Sequence, residues 1–139
     1  MRGYTLVEAV TALTLLGVGV STLAPTVRRL GDHAAVVVAR EEVVATLLEA
    51  RALALASGGA EVAVATSPPV VGIRKGGTLV REIRLGDGIE LRIGAGRDST
   101  TIRFDALGLG RFASETIEVA RFGATTAVVV SSYGRIRRR

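Results

Sequence analysis

The stretch that decides the fold is Gly3-Tyr4-Thr5-Leu6-Val7-Glu8, which is followed by the uncharged run Ala9 to Val27. That run has about 19 residues, which at ~1.5 Å per helical residue covers most of a hydrocarbon core roughly 30 Å thick. Its apolar residues would lie on every side of a helix, whereas an ordinary amphipathic helix keeps one polar face for water. The sequence therefore predicts a membrane helix over residues 4–27, with Glu8 as its one carboxylate.

Any interpretation of this segment has to explain Glu8, because an ionised carboxylate in hydrocarbon is costly and usually marks a functional site. A secretory signal peptide would have a longer charged N-terminal region and a small-residue cleavage site after the apolar stretch. Only Met1-Arg2-Gly3 precedes the apolar stretch, and Ser21-Thr22-Leu23-Ala24-Pro25 is a poor cleavage site. A plain signal anchor explains the hydrophobicity but gives no reason for Glu8.

Residues 3–8 resemble the prepilin signature of type IV pilins and type II secretion pseudopilins. In that family a membrane peptidase cuts after the glycine, the new N-terminus is methylated, and a glutamate guides filament assembly. The resemblance implies a leader over residues 1–3 that prepilin peptidase removes after Gly3. It also implies that Tyr4 is the methylated N-terminus and that Glu8 is the assembly residue. Tyr4 stands where the family usually has phenylalanine.

The position of Glu8 suggests a physical task in such a filament. Stacked N-terminal helices would bury its carboxylate beside the free amine of Tyr4 on a neighbouring subunit, so that each charge offsets the desolvation of the other. Losing either partner would leave an unpaired buried charge. The pair would therefore set the stagger between subunits.

Composition and charge bound the remaining expectations. A chain of 139 residues forms one domain plus its anchor, and the absence of cysteine excludes disulfides. The net charge of +5 fits an anionic partner. Arg28 and Arg29 follow the apolar run, which by the positive-inside rule favours a cytoplasmic C-terminus. The prepilin resemblance implies the reverse: a single-pass protein of the bacterial inner membrane with a periplasmic head, incorporated into a pilus or pseudopilus.

The helical pattern continues over residues 28–57 as an amphipathic half. Glu42, Thr46 and Glu49 would occupy its solvent side, while Arg40 and Arg51 interrupt its apolar arc. Ser57-Gly58-Gly59 is a stop signal, so one helix is predicted from about Tyr4 to Ala56. The apolar arc consists of Val36, Val43, Val44, Leu47, Leu48, Ala54 and Leu55.

After Gly59 the pattern changes to short alternating segments separated by Gly- and Pro-rich turns, which predicts antiparallel strands. Residues 58–139 therefore form a β-rich head, and the fold class is α+β. The expected strands are Glu61 to Thr66, Val70 to Arg74, Thr78 to Leu85, Ile89 to Ile93, Thr100 to Phe104, Glu115 to Phe122 and Thr125 to Ser131.

Two motifs in the head resemble the GspH/FimT class of minor pseudopilins and minor pilins. They are the Phe-x-x-x-Gly turn of residues 104–108 and the closing Gly134-Arg135. The resemblance implies a pilin-like fold and a minor pseudopilin of a type II secretion system, a structural subunit of the periplasmic pseudopilus in protein secretion. The alternative is a type IV minor pilin that binds extracellular DNA for uptake. Other pilins or pseudopilins are the expected partners.

The C-terminal tail carries the candidate DNA-binding residues Arg135, Arg137, Arg138 and Arg139. In an extended tail Arg135, Arg137 and Arg139 would share one face, at a spacing of roughly 6.6 Å that suits successive phosphates. The class resemblance supports DNA, since some of its members bind it through a Gly-Arg-x-Arg tail. A solvated basic end, or one that contacts anionic lipid or an acidic subunit, remains the alternative.

Nothing in the sequence points to catalysis. His33 is the only histidine and there is no cysteine, so the common zinc sites cannot be assembled. The Gly-x-Gly pairs lack the longer phosphate-binding fingerprints and are expected to be turns. Asp87, Asp98 and Asp105 lie in loops, where calcium is a weaker alternative to ordinary turn chemistry. We expect no enzyme, cofactor or metal site.

Overall fold

The computed structural model describes residues 5–110 and 114–139, without the side chains of residues 20–25. One helix, α1 (Leu6–Ser57), fills the first part of the chain and is about 78 Å long at ~1.5 Å per residue. It ends at Gly58, whose left-handed backbone (φ +87°) lets its N–H donate to the Ala54 carbonyl oxygen at 2.9 Å. The predicted stop is confirmed, whereas the predicted start at Tyr4 lies outside the described residues.

The rest of the chain forms two four-stranded antiparallel sheets. Their strand orders are β3-β2-β1-β5 and β4-β6-β7-β8. The seven predicted strands are confirmed with ends shifted by two residues or fewer, and β8 is an addition that the sequence did not predict. The strands are β1 (Gly59–Ala65), β2 (Val70–Lys75), β3 (Thr78–Arg84), β4 (Glu90–Ile93), β5 (Ser99–Asp105), β6 (Glu115–Arg121), β7 (Ala124–Val130) and β8 (Ile136–Arg138).

The C-terminal half of α1 packs against both sheets, and this confirms the predicted α+β architecture. Its buried arc is centred on Val36, Val43 and Ala54, each 0% exposed. Every residue of the hydrophobic core and its edge lies between Ala35 and Ile136. All core residues among those described thus lie within residues 35–139, and none of the described side chains in the first half of α1 belongs to the core.

The buried arc also includes Ala39 and Ala50, and it differs from the predicted one at three further positions. Thr46 is buried at 2% exposure and donates its hydroxyl to the Glu42 carbonyl oxygen at 2.8 Å, so its placement on the solvent side was wrong. Leu48 and Leu55, expected in the arc, are 48% and 56% exposed. The reason is that α1 meets two sheets instead of one, which turns the buried arc toward Thr46 and away from the two leucines.

A buried carboxylate joins the two sheets. Glu115 in β6 is 6% exposed and accepts two hydrogen bonds from Nη2 of Arg97, at 2.6 and 2.8 Å. It also accepts one from the Thr100 hydroxyl in β5 at 3.1 Å. Since β5 and β6 belong to different sheets, this network stabilises their packing and satisfies a charge that burial would otherwise penalise.

Candidate functional site

The first turn of α1 brings Thr5 and Glu8 together. Thr5 is the N-cap, and its hydroxyl oxygen accepts a hydrogen bond from the Glu8 amide at 3.3 Å. The Glu8 side chain is exposed and lies where the helix dipole favours a negative charge. Gly3 and Tyr4, the proposed cleavage and methylation residues, lie outside the described part of the chain.

The N-terminal half of α1 extends beyond the head and exposes its apolar side chains. An exposed apolar surface of this size usually marks an interaction site. Among its described side chains, nine large apolar ones are 54% to 81% exposed: Leu6, Val7, Val10, Leu13, Leu15, Leu16, Val18, Val27 and Leu30.

Within the residues that the structure describes, no helix is both long and apolar enough to cross a membrane.

The C-terminal tail is a strand fixed to the head. β8 pairs with β7 in antiparallel register, with Val129 opposite Arg137 and Val130 opposite Ile136. The final residue is held as well, because the Arg139 carbonyl oxygen accepts from the Ala127 amide and from the Thr126 hydroxyl, both at 2.9 Å. The tail is therefore extended, as its predicted alternation assumed.

Strand alternation separates the four tail arginines. The Arg138 guanidinium reaches α1 and donates to both carboxylate oxygens of Glu41 at 2.9–3.0 Å. Ile136, on the same face, packs against the core. Arg135 and Arg137 therefore point to the opposite face and are exposed. The structure thus distinguishes Arg138 from the other candidate DNA-binding residues.

Glu41 is the centre of an ion-pair network. Its carboxylate also accepts from Arg40 at 2.8 and 3.0 Å, and Arg40 in turn donates to the Thr126 hydroxyl at 3.2 Å. The hydrogen bonds from Arg138, and then those from Arg40, lower the pKa of Glu41 below its ordinary value. Glu41 reciprocally raises the pKa of Arg138. This network links α1, β7 and β8.

A cleft of about 710 Å³ lies beside β8. Arg135 and Arg137 line it together with Arg51 of α1, and Tyr133 contributes an aromatic ring that is 78% exposed. None of the described residues that line the cleft is acidic. The chemistry of this cleft suits an anion, since its described lining has three guanidinium groups and no carboxylate.

The two motifs that carried the class resemblance meet at the end of this cleft. The Gly108 carbonyl oxygen accepts a hydrogen bond from Nε of Arg51 at 3.1 Å. Gly134 packs directly on the same carbonyl, so closely that an added Cβ would overlap the oxygen. The Phe-x-x-x-Gly turn and the closing Gly-Arg are therefore two halves of one contact, which fixes the start of β8.

Solved structures of minor pilins and of a minor pseudopilin share the fold of this chain. The type IV minor pilin FimU of Pseudomonas aeruginosa superposes with a TM-score of 0.61 at 18% identity, over 83% of this chain and 92% of that one. A second crystal form of FimU gives 0.58 at 20% identity, over 73% and 90%. The minor pseudopilin EpsH of the Vibrio cholerae type 2 secretion system gives 0.57 at 13% identity, over 78% and 96%. This chain has a pilin-like fold. No protein-family model and no curated protein matches its sequence.

The remaining candidates of the pilin-like head have ordinary structural positions. His33 is exposed on α1. The Asp105 carboxylate accepts from the amides of Leu107 and Leu109 at 2.9 and 3.0 Å, which is turn chemistry. The residues that the structure describes contain no group of three or more His, Cys, Asp or Glu side chains placed to hold a metal ion.

Sequence reasoning missed two residues of the pilin-like head that organise the tail. Glu41 lies 97 positions from its partner Arg138, and Arg51 lies 57 positions from Gly108. The one local signal was at Arg51, which interrupts the apolar arc of α1 and so needs a polar partner in the head. Glu41 had no such signal, since it resembles any surface glutamate.

Proposed function

We propose that this pilin-like chain is a minor structural subunit of a type II secretion pseudopilus. It is made as a prepilin, cleaved after Gly3 by prepilin peptidase, and held in the bacterial inner membrane with its head in the periplasm until it joins other pseudopilins. The observation that carries this proposal is the exposed apolar half of α1, with Glu8 in its first turn.

The energetics of that half-helix support assembly. Complete burial of a Val or Leu side chain stabilises by about 1.5–3 kcal/mol, so nine exposed ones represent at most roughly 13–27 kcal/mol. Partial exposure and the cost of association reduce the net gain. Even so, the described side chains of this surface do not pack in the head, whose core begins at Ala35. A membrane and then a filament interior would cover it in turn.

Glu8 would fix the register between neighbouring subunits along this apolar surface. Apolar contacts alone are non-directional and would tolerate several staggers between subunits. A Glu8 carboxylate buried against the free amine of Tyr4 in a neighbouring subunit would be paired in one stagger only, and unpaired in the others.

The test is the substitution Glu8→Gln, which keeps the size of the side chain and removes its charge. We expect normal membrane insertion but reduced recovery of the chain in sheared filaments, and reduced secretion. Glu42→Gln is the matched control, because Glu42 is exposed on the head-packed half of the same helix. Equal filament recovery for the Glu8→Gln and Glu42→Gln variants would refute the assembly role of Glu8.

A second function, DNA binding by a type IV minor pilin, is favoured by one specific observation. The C-terminal tail holds Arg135 and Arg137 on one side of a cleft that they share with Arg51. Among the described residues that line this cleft, none is acidic. Fixed guanidinium groups suit successive phosphates of a nucleic acid. Arg139 continues the same alternation.

The fragment of residues 28–139, which contains the entire core, allows a direct measurement with duplex DNA. Each phosphate contact adds about 0.9 to the log–log slope of affinity against salt. Changing Arg135 and Arg137 together to Ala should therefore lower that slope by about 2 and weaken binding to all DNA sequences alike. DNA binding by the tail would be refuted if the parent fragment bound no DNA at low salt, or if the double variant kept the same salt slope. The structural function would then be the remaining proposal.

A further inference from the structure

The turn between β6 and β7 exposes a strained aromatic residue. Phe122 has φ +43° and Gly123 has φ +91°, so both residues of the turn adopt left-handed conformations. Hairpins of this type normally use Asn, Asp or Gly at the first position, because a bulky side chain is disfavoured there. Phe122 is nevertheless 81% exposed and buries little of its ring. Packing within the head therefore does not explain why this position carries phenylalanine.

The turn lies where the exposed half of α1 leaves the head. Nε of Arg121 donates to Oδ1 of Asp32 at 3.1 Å, which ties β6 to the helix. The same guanidinium lies 5.6 Å from the centroid of the Phe122 ring. A hollow of about 340 Å³ separates the turn from α1 and is lined there by Arg29 and His33. Phe122 thus marks the level at which the apolar helix surface ends.

The charges at this level are mainly basic. Arg28 and Arg29 are exposed on α1, and Arg121 neutralises Asp32 through their ion pair. Asp87 is the acidic residue of the loop beside the ring, next to Gly88, where an added Cβ would lie 3.6 Å from the ring atom Cε2. The charges of Arg28, Arg29, Arg121, Asp32 and Asp87 together sum to +1.

We propose that the Phe122–Gly123 turn, together with Arg28 and Arg29, rests on a phospholipid surface. The ring enters the headgroup layer while the guanidinium groups bind lipid phosphates, the arrangement typical of residues at a membrane interface. Lipid is the occupant because the turn lies at the end of the exposed apolar half of α1, whose large side chains from Leu6 to Val27 would already be in the bilayer. This inference rests on the membrane anchoring in the proposed function.

The full chain offers a direct probe, since it contains no tryptophan. Phe122→Trp places a single fluorophore in the turn, and the protein is reconstituted into vesicles of phosphatidylethanolamine and phosphatidylglycerol with brominated acyl chains. The matched control is Tyr133→Trp, because Tyr133 is 78% exposed and lies beside Arg51, roughly 33 Å farther along α1 than Arg29. We expect the fluorophore of the Phe122→Trp variant to lose quenching by aqueous iodide and to gain quenching by bromine. The Tyr133→Trp variant should keep its iodide quenching.

Three outcomes would overturn the inference. Equal iodide quenching in the two variants would place the turn in water. Protection from iodide without bromine quenching would indicate a contact with protein. Failure of the chain to float with vesicles would refute the anchoring itself, and flotation distinguishes that result from the other two.

A second variant separates a lipid contact from a role in folding. Phe122→Asn suits the left-handed conformation better, so the head should melt at an unchanged or higher temperature. A lower melting temperature would show that the ring stabilises the head, and would overturn the inference.

Discussion

Gly134→Ala should be among the most destabilising single substitutions in the head. Gly134 has φ +71°, a left-handed conformation that costs an alanine about 1–2 kcal/mol. The added Cβ would also overlap the Gly108 carbonyl oxygen, which is the same oxygen that Arg51 binds. Since backbone must move to relieve that overlap, we add the about 1–3 kcal/mol typical of overpacking. The expected loss in free energy of unfolding is about 2–5 kcal/mol.

A loss of that size is large against the roughly 5–15 kcal/mol by which domains are stable. For the fragment of residues 28–139 it corresponds to a fall of about 10–20 °C in melting temperature. Gly96→Ala is the matched control, because Gly96 has nearly the same φ, +67°, but an added Cβ there meets nothing within 4 Å. The free energy of unfolding of the Gly96→Ala variant should fall only by the conformational cost of about 1–2 kcal/mol.

Urea unfolding followed by far-ultraviolet circular dichroism measures both variants on the same fragment. If the unfolding free energy falls with urea concentration at a similar slope in both variants, the two expose the same surface area on unfolding. Their unfolding midpoints can then be compared. If Gly134→Ala and Gly96→Ala lost equal stability, the close contact between Gly134 and Gly108 would contribute nothing. The reasoning that joins the two class motifs would then be refuted.

Two further predictions concern the tail network and the N-terminus. Because its arginine partners lower the pKa of Glu41 in the folded state, its contribution to stability is present above its ordinary value of 4.5 and is lost as the pH falls through the lowered value. Glu41→Gln should therefore destabilise the head at pH 7, and its difference from the parent should shrink as the pH falls below 4.5, as urea unfolding at pH 7 and at a series of lower pH values would show. Mass spectrometry of the membrane-extracted chain should find a methylated N-terminus at Tyr4, whereas an intact Met1 would contradict prepilin processing.

Local patterns were sufficient to predict α1 and seven of the eight strands. The end of α1 depends on Gly58, whose left-handed conformation is a property of the residue itself. A strand with one face toward the core alternates in burial, as in β1, where Ala60, Val62 and Val64 are buried. The prediction for Thr46 was wrong because its burial depends on where a second sheet packs against α1. The sequence pattern of α1 alone does not show where that sheet lies.

The candidate site was less accessible to sequence reasoning, because its contacts join distant parts of the chain. The tail arginines were visible as a cluster, but their division depends on pairing with β7 and on Glu41. β8 itself was missed, since its sequence Ile136-Arg137-Arg138 has one apolar residue and no β-rich run. Its strand conformation comes from the register with Val128–Val130 and from the held carbonyl of Arg139.

Two anchors, about 15 Å apart along α1 at ~1.5 Å per residue, fix β8: Glu41 with Arg138, and Arg51 with Gly108. A tail held in this way presents Arg135 and Arg137 in one arrangement, so less conformational entropy is lost when they bind an anion. Arg138→Ala therefore separates positioning from direct contact. If Arg138 only positions the strand, the variant should bind DNA more weakly at every salt concentration with an unchanged salt slope. A slope reduced by about 0.9 would show instead that Arg138 leaves Glu41 and contacts a phosphate itself.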